Sequence, residues 1–317
     1  MADRPTRRRA IAIFASATAS LTGIGASRAA EEWRGSALGA EVSIVFDEVD
    51  PASRRVAVDR IMAEIERQES IFSLQMARSE LSRLNAEGRL ARPSGDLLYV
   101  LERAREIHAA TSGKFDPTVQ TLWRNYVAWY ASDRGRKRPP DEWLASFAGR
   151  IGLGAVRIEP DAIVLPPGVE LTLNGIAQGH ITDSGVRILR DLGFKRVLVD
   201  LGETRAMDDR ADGSAWRVRL PDETPVALRD VALATSAGAA TSFAANGDHH
   251  IFDPHTRRPA RIWNWLSVSH PSAAIADGLS TGLYCLTPDA CRASLASFPG
   301  ARLWGQTADG VRRTLPA

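Results

Sequence analysis

Four short stretches carry residue types that could do chemistry together. In Leu171-Thr172-Leu173-Asn174-Gly175-Ile176-Ala177-Gln178-Gly179-His180, an alternating apolar run ends and glycines open a helix. The first turn of a helix presents unpaired N–H groups and a partial positive charge. Glycine there lets a phosphate or another backbone come close. Asn174 stands where it could cap that helix. Asp277-Gly278-Leu279-Ser280-Thr281 puts a carboxylate and a hydroxyl on one helix face. Two hard oxygens suit Mg²⁺, which takes few protein ligands and leaves room for phosphate and water. In His250-Ile251-Phe252-Asp253-Pro254, a histidine could take a proton from an incoming hydroxyl. His249 is adjacent, and spacing alone does not choose between the two. Gly113-Lys114-Phe115-Asp116-Pro117 follows a helix stop. Phe115 could stack on a ring there, and Asp116 could accept hydrogen bonds.

Taken singly, each stretch has a plain structural alternative. The first is also an ordinary strand–helix turn, and the second a solvated helix face. The last two are also turns with an anchoring side chain. Their order and spacing together carry the functional reading.

The elements that must position these residues are legible in outline. Ser36–Phe46 reads as the first strand of the mature chain. Val58, Ile61, Met62 and Ile65 mark an amphipathic helix. A loop, Phe72–Asn85, follows. Ser94 to Ser112 reads as a second helix, with Leu97, Leu101, Ala104 and Ile107 on one side and Gly113 as its stop. Asp133–Asp141, with two prolines, reads as an exposed loop. Val156–Ile158 and Ile163–Leu165 flank a Pro160-Asp161 hairpin signal. Val169–Leu173 reads as a strand, Gly175 to Leu192 as a helix and Arg196–Leu201 as a strand. Trp216–Leu220, Val231–Ala234 and Leu266–Ser269 are further strands, Ala273–Tyr284 is a helix, and a hairpin turns at Asp309-Gly310. Strands and helices mix without βαβ alternation, which predicts an α+β fold.

Composition bounds the partners. The chain of 317 residues is 44% hydrophobic and 25% charged, ordinary for a globular protein. Arg7-Arg8-Arg9, an uncharged small-residue run and Arg28-Ala29-Ala30 read as an export signal over residues 1–30. The arginine pair points to the twin-arginine route, and the run is too weakly apolar for a stable transmembrane anchor. Of 40 basic and 38 acidic groups, the signal holds five and one. The mature chain, 31–317, therefore has a net charge of −2. Nucleic-acid binding is not supported. An exported protein could bridge Cys285 and Cys291, but two buried free thiols are the expectation.

Read in order, the stretches above resemble the FAD:protein FMN transferase family, also called the ApbE family. The matching segments are Phe72-Ser73 with Ser79 to Asn85, Gly113 to Val119, Leu171 to Asp183, Leu198 to Gly202, Ala234 to Ser236, His250 to Pro254 and Ala276 to Thr281. The resemblance implies an α+β protein in which mixed sheets and packed helices form an FAD cleft. It implies Mg²⁺-dependent cleavage of FAD, attachment of FMN by a phosphoester to a Thr or Ser of an exported acceptor flavoprotein, and release of AMP. Carried over, Asp277, Thr281 and the Gly175 carbonyl would hold Mg²⁺. Lys114, Phe115 and Asp116 would contact FAD, as would the positions of Leu38, Gln75 and Thr172. His250 would be the base.

The chain departs from the family at Leu38-Gly39-Ala40, where Met-Gly-Thr is usual. It also has Gln75 or Met76 for a flavin-side Tyr, Thr172 for Asp, Gln178 for Lys and Arg257 for Gly. Two other functions use the same residues. One is an FAD pyrophosphatase, and the other a non-catalytic flavin-binding maturation factor for an exported respiratory complex such as a nitrous-oxide reduction system. The export signal places the protein in the periplasm or another extracytoplasmic space.

Overall fold

The computed structural model describes residues 30–37, 40–47, 49–132 and 137–316. The described residues begin with β1 (Ala30–Ala37), β2 (Ala40–Asp47), α1 (Pro51–Phe72), α2 (Glu80–Glu87), β3 (Arg89–Ala91), α3 (Gly95–Ala110), α4 (Gln120–Ala131) and α5 (Asp141–Ala145). It continues through β4 (Arg157–Ile158), β5 (Ala162–Val164), α6 (Ala177–Asp191), β6 (Val197–Asp200), β7 (Thr204–Met207), β8 (Trp216–Arg219) and β9 (Pro225–Leu228). It closes with β10 (Ala232–Ala237), β11 (Phe252–Asp253), β12 (Arg258–Pro259), β13 (Trp263–His270), α7 (Ala273–Leu283), α8 (Pro288–Leu295), β14 (Arg302–Thr307) and β15 (Arg312–Pro316).

The principal sheet runs β1-β2-β6-β7-β10-β13-β14-β15, with every neighbouring pair antiparallel. Its two faces follow from period-2 alternation. On β2, Val42, Ile44 and Phe46 point to one face, where Ile61 and Ile65 of α1 and Ile181 of α6 cover them. Val45 points to the other face, which the β8–β9 hairpin covers with Trp216, Val218, Val226 and Leu228. A further core joins α2, α3 and α7 to β13. The same core takes in Phe115, Ile176, Ile251 and Leu279, from four separate parts of the chain. This is the expected α+β arrangement.

Several elements differ from the sequence expectation. The first strand is a hairpin, β1 and β2, not one run. The loop after Phe72 contains α2, which Ser79 caps through Ser82 N–H (3.0 Å) and Gly88 ends in a left-handed turn (φ 70°). Val169–Leu173 forms no strand beyond a single bridge of Glu170 to Val119. It alternates buried and half-buried side chains as a strand would. Its backbone is held instead by Asn85, whose side chain accepts from Leu171 N–H (2.7 Å) and donates to Leu171 C=O (2.8 Å). The helix foreseen from Gly175 starts at Ala177, and Asn174 does not cap it. Its cap residue is Ile176, which makes no side-chain cap bond. The signal over 1–30 and the position of Leu38 lie outside the described residues, apart from Ala30. Cys285 and Cys291 are free and buried, as expected, and burial pushes both thiols up. Among the described residues, no helix is long and apolar enough to cross a membrane.

Candidate active site

The site begins with two helices that complete each other. The N-terminus of α6 lacks a side-chain cap of its own, yet Asp277 of α7 accepts from Gly179 N–H (3.1 Å). In return, Asp183 of α6 accepts from Ala273 N–H (2.8 Å), Ala274 N–H (3.1 Å) and the Ser272 hydroxyl (2.7 Å) at the start of α7. Each carboxylate satisfies orphan donors of the other helix. The helices meet so closely that a Cβ on Gly179 would lie 2.3 Å from Ala273 C=O. That contact explains the glycine.

Thr281, one turn beyond Asp277, faces the turn before α6. A Cβ on Gly175 would lie 2.7 Å from Thr281 Oγ1, so the Gly175 backbone and this hydroxyl are neighbours. Ser236 of β10 lies 2.8 Å from Ser280 Oγ and 3.4 Å from Thr281 Oγ1. The donor set of a carboxylate, a hydroxyl and a backbone carbonyl is all hard oxygen, which fits Mg²⁺. Among the described residues, no group of three or more His, Cys, Asp or Glu is arranged to hold a metal. The fit to Mg²⁺ therefore rests on this mixed oxygen set.

Burial raises the Asp277 carboxyl. Glu203, at the end of the β6–β7 turn, lines the same space and is only 6% exposed. Burial, and then the charges of Asp277 and Asp200, push its carboxyl well up. Burial also raises Asp200 to about 6. An acidic floor of this kind favours a cation or a proton. Sequence reasoning passed over Glu203. Its signal was an acidic residue directly after the buried run Leu198 to Gly202.

The two histidines separate cleanly. His249 is buried, with Nε2 2.7 Å from Ala260 C=O and Nδ1 accepting from Ile251 N–H (3.2 Å). Both its nitrogens are occupied by backbone. His250 lines the cleft and is half-buried, with Nδ1 3.3 Å from Thr241 C=O. That bond fits Nδ1–H as donor and leaves Nε2 as an acceptor. Burial, helped by His249, lowers His250 to about 4, so its ring is neutral at neutral pH.

The remaining predicted residues frame the walls. Lys114 Nζ bridges both oxygens of Asp253 (2.8 and 2.7 Å), clipping the Gly113–Pro117 turn to the His250–Pro254 turn. Asp116 is buried, and its carboxylate accepts from Thr118 N–H (2.9 Å), the Thr118 hydroxyl (2.6 Å) and Leu153 N–H (3.0 Å). It shapes the turn from within. Phe115 is buried beneath α7, where a Cβ on Gly282 would lie 2.8 Å from it. Thr172 N–H donates to Pro117 C=O (2.8 Å), tying two walls together. Gln75 is exposed at the rim. All of these, with Gly175, His250, Asp277 and Thr281, line one cleft of about 380 Å³. Leu38 is the one predicted contact whose position is not described. Sequence reasoning also missed α4, which contributes Gln120, Trp123 and Arg124 to the lining.

Comparison with known proteins gives a consistent picture. The model of the family described as the ApbE family matches residues 38–303. The chain is 28% identical to an FAD:protein FMN transferase of Haemophilus influenzae over 232 residues, 67% of each protein. It is 27% identical to one of Treponema pallidum, over 81% of this chain and 78% of that one. Among solved structures, the flavin transferase ApbE from Vibrio cholerae superposes with a TM-score of 0.75 at 26% identity, covering 90% of this chain and 97% of that one.

Proposed function

The chain belongs to the ApbE family, and from that premise we propose that it is an Mg²⁺-dependent FAD:protein FMN transferase. The observation that carries the proposal is the convergence of Gly175, His250, Asp277 and Thr281 on one cleft from distant parts of the sequence. The names of its relatives support the same reaction class.

In this reading, FAD lies in the cleft with its pyrophosphate over the Gly175 turn. The acceptor's Thr or Ser hydroxyl attacks the FMN phosphorus. A P–O bond to FMN forms, the P–O bond to AMP breaks, and AMP leaves. His250 Nε2 takes the hydroxyl proton, with Thr241 C=O fixing the ring through Nδ1. Asp277, Thr281 and the Gly175 carbonyl would hold Mg²⁺, which supplies charge neutralisation for the pyrophosphate and the leaving AMP. Lys114, bound to Asp253, holds the two turns together at the wall of the cleft. The signal-like residues Arg7 to Ala30 support action in the periplasm, on an exported flavoprotein acceptor.

The test is incubation of the purified protein with FAD, Mg²⁺ and candidate exported acceptors. Transferase activity gives flavin fluorescence on the denatured acceptor, with the mass increase of FMN. AMP release without acceptor labelling would assign the protein to FAD hydrolysis. FAD that stays bound and intact would assign it to flavin delivery or assembly.

A further inference from the structure

Two histidines outside the lining of the cleft face each other across a glycine. Helix α3 ends at Ala110, and the chain then reverses through Ser112 (φ 52°) and Gly113 (φ 80°). Gly113 N–H donates to His108 C=O (2.8 Å), which lays this turn against His108 in the last turn of the helix. His255 arrives from the turn between β11 and β12, where its backbone N–H donates to Asp253 Oδ1 (2.9 Å). A Cβ on Gly113 would lie 3.1 Å from His255 Nε2, 3.6 Å from His108 Cε1 and 3.8 Å from His108 Nε2. The glycine therefore leaves the space between the two rings open. That space is at the surface, with the His108 side chain 26% exposed and His255 exposed. His108 Nδ1 lies 2.8 Å from Phe115 C=O. A carbonyl only accepts, so Nδ1 carries the hydrogen and Nε2 keeps its lone pair. Asp116 Oδ2 stands 3.7 Å from the same Nδ1. Among the described residues, neither His108 Nε2 nor the His255 ring has a hydrogen-bond partner.

We infer that His108 and His255 form a two-histidine site for a divalent transition-metal ion of the Zn²⁺ class, with water in the remaining positions. Imidazole nitrogen suits such an ion, as the hard oxygens of Gly175, Asp277 and Thr281 suit Mg²⁺, so ligand chemistry sorts the two ions. A ring whose other nitrogen donates to a carbonyl, with a carboxylate behind it, is the usual form of a metal-ligating histidine. The C-terminal end of α3 adds a favourable partial negative charge. The adjacent Lys114 ammonium is already matched by both oxygens of Asp253. Exposed His255 has room to adjust to the bond of about 2.0–2.1 Å that Zn²⁺ makes with imidazole. A bound ion joins the end of α3 to the β11–β12 turn, beside the Lys114–Asp253 pair. It thereby braces two walls of the cleft without entering it. The site does not depend on the transferase reading.

The experiment titrates Zn²⁺ into the full protein by calorimetry, with Mg²⁺ in excess, for wild type, His108→Ala, His255→Ala and Asp277→Asn. Wild type and Asp277→Asn should take up the ion with the same affinity. Each histidine variant should bind it about 10- to 100-fold more weakly, the loss typical of a disturbed metal shell. His108 also supports the Phe115 turn, so His255→Ala, at an exposed position, is the variant that leaves the fold least disturbed. Saturating Zn²⁺ should raise the thermal midpoint of wild type and not that of His255→Ala. Cu²⁺ gives a second readout. Electron paramagnetic resonance of the loaded wild type should show two imidazole nitrogens on the ion, and His255→Ala at most one. Absence of Zn²⁺ uptake by wild type, unchanged affinity in His255→Ala, or affinity lost in Asp277→Asn would each overturn the inference. All three leave the transferase reading standing.

Discussion

At the residue scale, neighbouring histidines have opposite duties. His249 is pinned between Ala260 C=O and Ile251 N–H, and His250 faces the cleft. Replacing His249 with Ala should lower the thermal midpoint, because it strands buried backbone groups at a cost of about 1–3 kcal/mol. Replacing His250 with Ala should leave the midpoint nearly unchanged and lower the transfer rate by about 10²- to 10⁴-fold. Parallel melting and labelling assays check this, and equal rate losses would sink the assignment. The pH dependence has a definite sign. His250 is lowered to about 4 in the fold, so it stays unprotonated as pH falls through the ordinary histidine range. The rate should show no inflection near pH 6.5 from this group. The unfolded chain does take up that proton, so this group leaves stability unchanged above about pH 6.5 and lowers it progressively as pH falls toward 4. The melting midpoint should fall less over that window in His250→Gln than in wild type.

Arg257 is a second case at this scale. It occupies a left-handed turn (φ 59°), a conformation that favours glycine. A side chain there costs about 1 kcal/mol. Arg257→Gly should raise the midpoint by about 2 °C, measured by calorimetry. A lower midpoint would contradict the strain argument.

At the element scale, α6 and α7 act as one unit because each carries the other's cap. Asp183→Asn should cost about 1–2 kcal/mol by weakening the start of α7. It should also raise the Mg²⁺ concentration needed for half-maximal transfer, since α7 carries Asp277 and Thr281. Denaturant melts and an Mg²⁺ titration test the two effects, and a stability loss with an unchanged Mg²⁺ requirement would show that the helices are not coupled in this way. This pair also marks how far the sequence could be read. Helix α7 was legible, since Ser272 caps it through Ile275 N–H (3.3 Å) and its apolar side chains repeat with helical spacing. Helix α3 was legible for the same reasons, with Ser94 as its cap. The segment Val169–Leu173 misled because alternating burial normally implies a ladder. Here the Asn85 side chain, the Thr121 hydroxyl and Pro117 C=O make the backbone bonds that a neighbouring strand would make. Helix α2 was passed over because only Leu81 and Leu84 are buried in it, too few to establish a period. Helix α4 has no side-chain cap, and its aromatic residues obscured its face.

At the scale of the whole molecule, the antiparallel sheet and its helices gather segments far apart in sequence around one cleft. The four stretches that seemed individually weak became informative because they share this space. Their proximity could not be read from spacing, since it depends on contacts such as Lys114 to Asp253 across 139 residues. Residues that order the cleft from behind were harder still to foresee. Asp183, Asn85 and Asp116 are polar residues in motif positions, and nothing in their type separates ligand contact from structural duty. The acidic floor of Asp277 and Glu203 likewise belongs to the fold as a whole, because β6–β7 and α7 must meet to create it.

The measurement that tests the central claim most directly compares wild type with Asp277→Asn in covalent flavin transfer. Both proteins are incubated with FAD, Mg²⁺ and an exported acceptor, and the denatured acceptor is read by in-gel flavin fluorescence and intact mass. The Asn side chain retains an oxygen for Gly179 N–H while losing the charge that would hold the cation. Wild type should label the acceptor with FMN and release AMP, and labelling should disappear on chelation of Mg²⁺. Asp277→Asn should stay folded and lose nearly all labelling. Full labelling by Asp277→Asn, or labelling by wild type that survives removal of Mg²⁺, would contradict the account.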